Sequence, residues 1–276
     1  MGKPRLLITV GDSLTEGVGC YDLELIKTHN ITQQENHFNY NNPYNKKFEE
    51  FYDKSMEGFH ELGWPNNLGK KLNYDKVINI GASGSSSSAH LKLFVEKILP
   101  KNLSQYDVLV IWMLTDPRRI SFYSDGKIRG FHVGTNLHNE YINSSSGIIF
   151  DSNLETIFYI KCMEEICENN NFDLLITSFG RQSFNEIRSI YDSKYYMKEI
   201  NGELTFICSL NSNQISSLCP HPNQFGYDYF SKNMFESIQK YNTNLINKNK
   251  VNKFEWEWDG IPINHYRNNY SYLIPP

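Results

Sequence analysis

Short apolar runs bounded by glycine or polar residues recur along this chain, separated by stretches with helical spacing. The first, Leu6-Leu7-Ile8-Thr9-Val10, stops at Gly11 and predicts a buried strand. Lys76–Ile80 predicts a second. Asp107–Met113 predicts a third, apolar after its first residue and therefore central in a sheet. Phe172–Thr177 predicts a fourth, and Leu204–Ile207 a fifth strand or a short edge piece. Between them, the segment from Gly63 to Lys71 predicts a helix with Pro65 in its first turn. Ala89–Leu99 carries Leu91, Leu93, Phe94 and Ile98 on a helical face, and Ile157–Glu168 and Phe225–Ile238 predict two further helices. Strand and helix alternate, which predicts an α/β domain: a parallel sheet wrapped by helices on both faces. Right-handed crossovers then bring the loops after the first three strands to one edge.

Two polar excursions interrupt this rhythm, at about residues 20–60 and 117–147. Connections this long are often functional lids, and a variable surface insertion is the competing reading. Lys46–Phe59 could form a short helix within the first. Residues 1–241 are expected to form one domain, with 242–276 a polar and aromatic tail that packs on the domain or on a partner.

Composition narrows the function classes. The net charge is -4 and the pI about 6.1, so no polyanion-binding surface is advertised and no nucleic-acid partner is expected. Mean hydropathy is -0.52, polar for a globular chain, yet 18 tyrosines and 17 phenylalanines supply aromatic bulk. The five cysteines form no C-x-x-C pair and show no zinc-ligand spacing, which favours free thiols and no metal. Met1-Gly2-Lys3-Pro4-Arg5 runs straight into a strand without a secretory h-region, and no stretch is long enough to span a bilayer. A soluble, cytoplasmic protein is expected. The Asn, Lys, Ile and Tyr richness fits an AT-rich genome such as a virus's, which keeps a virion-associated location as an alternative.

The chemistry starts at Gly11-Asp12-Ser13-Leu14, the turn after the first strand. Ser13 or Thr15 could cap the helix that follows. A serine at the carboxyl end of a buried strand also sits where open α/β sheets bind ligands. An acyl-transfer serine needs a base within reach, and Cys219-Pro220-His221-Pro222-Asn223 offers one. In these residues the chain resembles the SGNH (GDSL-type) hydrolases, flavodoxin-like esterases and lipases with four motif blocks. Gly11–Leu14 matches the first block and Asn79-Ile80-Gly81-Ala82-Ser83-Gly84 the second. The third is normally G-x-N-D, and here it is Met113-Leu114-Thr115-Asp116. The last is normally D-x-x-H-P, and here Leu218 stands at the aspartate position before His221-Pro222. The match runs from Leu6 to about Ser237, outside the two excursions and the tail.

The resemblance implies a three-layer α/β/α flavodoxin-like fold with two long inserted loops. It implies Ser13 as nucleophile, His221 as general base and acid, and an oxyanion hole from the Ser13 and Gly84 N–H groups. Thr115, shorter than asparagine, is a third donor candidate. No triad acid is identified: a backbone carbonyl, Ser216, Ser217 or an acid from an excursion could orient His221. Asp12, Asp116 and Arg118 stand at the same edge. Arg118 and Arg119 could grip a substrate carboxylate, or pair with Asp116 and other local acids. His90, His132 and His138 are rival bases without motif context. Gly81–Ser88 lacks the lysine of a phosphate loop. The implied activity is hydrolysis of short-chain acyl esters through an acyl-enzyme, on a small-molecule or carbohydrate ester, with no cofactor. A catalytically impaired glycan-binding or structural module is the alternative, and a lysophospholipase or thioesterase the third option.

Overall fold

Arg5–Val10 form β1, and every residue after the first is buried. It lies at the centre of a five-stranded parallel sheet with Lys76–Asn79 (β2), Asp107–Leu114 (β3), Asp173–Ser178 (β6) and Glu255–Trp258 (β9), in the order β6-β3-β1-β2-β9. The computed structural model describes residues 2–17, 59–82, 84–124, 127–131, 152–178, 181–198, 214–216, 219–222, 224–248, 251 and 253–260. The helices are Ser13–Glu16 (α1), Phe59–Leu62 (α2), Trp64–Lys71 (α3), Ser87–Leu93 (α4), Ser152–Asn169 (α5), Arg181–Ile190 (α6) and Gln224–Tyr241 (α7). A π-helical turn, Phe94–Ile98, continues α4.

Strand periodicity divides the core. Leu6, Ile8 and Val10 join Val110, Trp112 and Ile176 under α4, α5 and α6. Leu7, Val77, Ile111 and Leu175 face α3 and α7 through Trp64, Leu68, Tyr227, Phe230 and Met234. Successive strand residues point to opposite faces, and both faces are covered, so the strands read as continuous apolar runs. The three-layer arrangement expected from the sequence is the one observed.

The differences lie at the margins. The fifth sheet strand comes from the segment read as a tail: β9 runs parallel to β2, Val77 opposite Trp256 and Asn79 opposite Trp258. Lysines clamp it, with Lys76 Nζ 2.6 Å and Lys101 Nζ 2.9 Å from Glu257, and Lys97 Nζ 3.0 Å from Asp259. The stretch at Leu204–Ile207 and all of Lys46–Phe59 except its last residue lie outside the described residues. Part of the second excursion is an antiparallel hairpin, Ile120–Ser124 (β4) with Lys127–Phe131 (β5). A second small hairpin pairs Gln214–Ser216 (β7) with Cys219–Pro222 (β8). Helix α6 was not expected; it buries Phe184 and Ile187, leaves Ile190 exposed, and its other residues are polar.

Candidate active site

The chain runs from β1 to β2 on one side and returns to β3 on the other. That places the topological switch point between β1 and β3, the crevice where open α/β sheets take ligands. Asp12 and Ser13 follow β1 there, and Thr115 and Asp116 follow β3. Asp12 caps α1, its Oδ1 accepting from the Leu14 N–H at 3.0 Å. Ser13 is the first helical residue and only 7 % exposed, and its carbonyl accepts from the Gly17 N–H at 3.1 Å. The cap is therefore Asp12, and neither Ser13 nor Thr15, the two caps expected from the sequence, fills that position.

Asp12 is also the hub of the crevice. Its Oδ2 accepts from the Thr115 hydroxyl at 2.8 Å and from Arg119 Nη1 at 2.7 Å. Burial alone would push its pKa up, but the Arg119 guanidinium, the Leu14 N–H and the Thr115 hydroxyl outweigh it and hold the carboxyl below its usual range. An ionised carboxylate only accepts, so the one proton of Thr115 points at Asp12. Thr115 therefore braces the β1 turn from β3 in this structure instead of aiming a donor at a substrate oxygen. Arg118 grips Asp116 through two parallel bonds, Nε to Oδ1 at 3.0 Å and Nη2 to Oδ2 at 2.7 Å. Both arginines pair with local acids, as the simpler sequence reading expects.

The loop after β2 is locked against α1 from the other side. Asn79, fully buried, accepts from the Gly81 N–H at 2.8 Å and the Thr9 hydroxyl at 3.2 Å, and donates to the Thr15 carbonyl at 2.8 Å. A Cβ at Gly81 would lie 2.3 Å from the Glu16 nitrogen and 2.7 Å from its Cα. Those atoms are backbone and cannot swing away. Gly81→Ala is therefore expected to destabilise the fold by about 1–3 kcal/mol, the usual range for overpacking, read as a lower midpoint in thermal melting. A variant melting with wild type would show that the loop and α1 can separate freely. Behind α1, His60 Nδ1–H donates to the Glu16 carbonyl at 3.1 Å, and the ring stacks on Trp258 of β9 at 3.9 Å.

Gly84, at φ 72°, turns the chain into α4 in a conformation that favours glycine. The next residue, Ser85, meets a buried histidine: His90 Nε2 lies 2.7 Å from Ser85 Oγ. Trp112 Nε1 of β3 lies 3.1 Å from His90 Nδ1. Indole N–H only donates, so Nδ1 accepts and the proton sits on Nε2. Burial pushes the His90 pKa down to about 4. This rival base is a neutral core histidine with both nitrogens engaged. His132 and His138 lie outside the described residues.

His221 belongs to β8, three residues ahead of the first residue of α7. Helix α7 is tied to α3 by Asp228, which accepts from Asn67 at 2.6 Å, and Gly63, the residue that caps α3, packs against Gly17. Leu218 and Ser217 lie outside the described residues. Among the described residues no cluster of three or more side chains is arranged to hold a metal. No described helix is long and apolar enough to cross a membrane. A cavity of about 440 Å³ lined by Lys3, Leu103, Tyr106, Asn170 and Phe172 opens at the opposite end of the sheet, away from Ser13.

No protein-family model and no curated protein matches the chain. Among solved structures, it is similar to a lipolytic protein of the G-D-S-L family from Desulfitobacterium hafniense DCB-2, with 13% identity and a TM-score of 0.45, over 84% of this chain and 98% of that one. It is also similar to the lipase Lip_vut3 from a goat rumen metagenome, with 11% identity and a TM-score of 0.47, over 84% of this chain and 97% of that one. In its parallel sheet and in the order of its motif blocks, the chain resembles the SGNH (GDSL-type) hydrolases.

Proposed function

We propose that this protein is a serine ester hydrolase acting on short acyl esters, such as acetyl esters, of polar molecules such as carbohydrates. The observation that carries the reading is the burial of Ser13 at the carboxyl end of the central strand, beside the switch point, on a turn braced from both neighbouring loops. In the proposed reaction Ser13 Oγ attacks the ester carbonyl as His221 takes its proton. The Ser13 and Gly84 N–H groups hold the oxyanion. The intermediate collapses to an acyl-enzyme as His221 gives the proton to the leaving alcohol. Water, deprotonated by His221, then releases the acid and regenerates Ser13.

With Leu218 at the acid position and the Thr115 proton turned to Asp12, turnover should be modest. In one complete triad, losing the serine costs about 2 × 10⁶ in kcat and losing the acid alone about 3 × 10⁴. A site already lacking the acid therefore has roughly 10² left for Ser13→Ala to remove. Fluorophosphonate labelling together with hydrolysis of a small acetyl ester tests this. Wild type should label, Ser13→Ala should not, and Ser13→Ala should turn over roughly 10²-fold more slowly. Labelling that survives Ser13→Ala removes Ser13 as nucleophile. A wild type that neither labels nor turns over an ester favours the non-catalytic, glycan-binding or structural reading.

A further inference from the structure

We propose that His90 is a positioning residue that holds the Gly84 turn in place through the Ser85 hydroxyl. The inference rests on the ester-hydrolase reading only for its effect on turnover. Its basis is a one-way chain of hydrogen bonds from the middle of the sheet to the loop. Trp112 Nε1–H donates to His90 Nδ1, and His90 Nε2–H donates to Ser85 Oγ. The Ser85 hydroxyl then donates to the Ala82 carbonyl, which also accepts from the Ser85 N–H at 3.2 Å. No member can reverse, because the indole at one end only donates and the carbonyl at the other only accepts.

The chain spans the Gly84 turn. Ala82 itself is tied to β1, its N–H donating to the Gly11 carbonyl at 2.9 Å, two residues before Ser13. On the far side, the Ser86 N–H donates to Ser121 Oγ at 3.1 Å, and Ser86 caps α4. Gly84, with no side chain and a left-handed backbone, would otherwise be the loose point between these two anchors. The Ser85 hydroxyl bridges across it, and His90, fully buried on α4, fixes the hydroxyl. An apolar residue at the His90 site would leave the buried Trp112 N–H without its acceptor and the Ser85 hydroxyl without its donor, so the neutral histidine, wired at both nitrogens, joins the sheet to the loop. What this link sets is the height and direction of the Gly84 N–H.

Ser85→Ala removes the bridge and leaves the histidine in place. His90→Phe keeps the ring volume and removes the donor, and His90→Gln returns an N–H near the Nε2 position. The expected result is faster amide exchange at Gly84 and Ser85 by NMR in Ser85→Ala and His90→Phe, with partial recovery in His90→Gln. On a small acetyl ester, kcat should fall about 10-fold or more with KM unchanged, since a misplacement of about 1 Å can cost roughly 10²-fold. Exchange unchanged in Ser85→Ala overturns the proposal, whatever happens to kcat. Faster exchange with kcat unchanged overturns it too, because the turn then does not govern turnover. Failure of the hydrolase reading is seen separately, as wild type that neither labels nor turns over.

Discussion

Asp12→Ala is expected to cost roughly 3 kcal/mol of folding stability, measured by urea unfolding at neutral pH. The carboxylate is 4 % exposed and does three jobs: it caps α1, receives the Thr115 proton and pairs with Arg119. Breaking a buried ion pair from one side costs about 3–5 kcal/mol, because the surviving charge stays out of water. The Arg119 side chain is 22 % exposed and can partly rehydrate, which brings that share down to about 2 kcal/mol. Loss of the helix cap adds about 1 kcal/mol. Asp12→Asn keeps an oxygen for the Leu14 N–H but loses the charge and turns the Oδ2 acceptor into an amide donor facing Arg119, so it should spare only the cap's share of the cost. In Arg119→Met the second substitution, Asp12→Ala, should cost less than it does alone, since the pair is already gone. Asp12→Ala within 1 kcal/mol of wild type would mean the crevice does not depend on this hub.

How much of this could be read from the sequence follows from what each feature depends on. The strands β1, β2, β3 and β6 were legible because burial on both faces turns them into apolar runs. Strand β9 was not, since Glu255-Trp256-Glu257-Trp258 alternates charge with aromatic and reads as polar on average. Its glutamate face meets Lys76 and Lys101, partners that sequence spacing does not reveal. The β4–β5 hairpin did leave a signal, Asp125-Gly126 between two five-residue strands, which the excursion's overall polarity masked. Helix α6 has only Phe184, Ile187 and Ile190 as apolar markers, too few for a period. At the site, Ser13 and Gly84 could be placed at one edge because each sits in a turn directly after a strand. The Arg119–Asp12 pair joins residues 107 positions apart, and the direction of the Thr115 proton depends on that carboxylate. The motif departure at Thr115 was visible; its bracing role needed the third dimension.

Between about pH 6.5 and pH 4 the protein should lose about 3 kcal/mol of stability through His90 alone. Burial holds the folded-state pKa at about 4, against an ordinary value of 6.5. In that window the unfolded chain binds a proton that the folded chain refuses, so acid favours unfolding. The contribution is fully present above pH 6.5 and is lost as the pH falls to about 4, where the folded state begins to protonate as well. The hydrogen bonds explain the refusal: a protonated ring would set an N–H against the Trp112 N–H across 3.1 Å. His60, pushed by burial to about 4, adds in the same direction. Asp12 does not contribute there, because its folded pKa lies below the ordinary 3.8 and its loss comes only in stronger acid. Urea unfolding at a series of pH values should therefore show a slope in wild type that His90→Gln flattens by about 3 kcal/mol over the window. If His90→Gln kept the full slope, other groups would be titrating and the histidine would be open to water in the folded state. A flattened slope would instead show that the folded state keeps His90 neutral, the form whose Nδ1 can accept from Trp112. Below about pH 4, where the folded state protonates His90 as well, Nδ1 can no longer accept from Trp112, and the wire to the Gly84 turn breaks before Asp12 gives way.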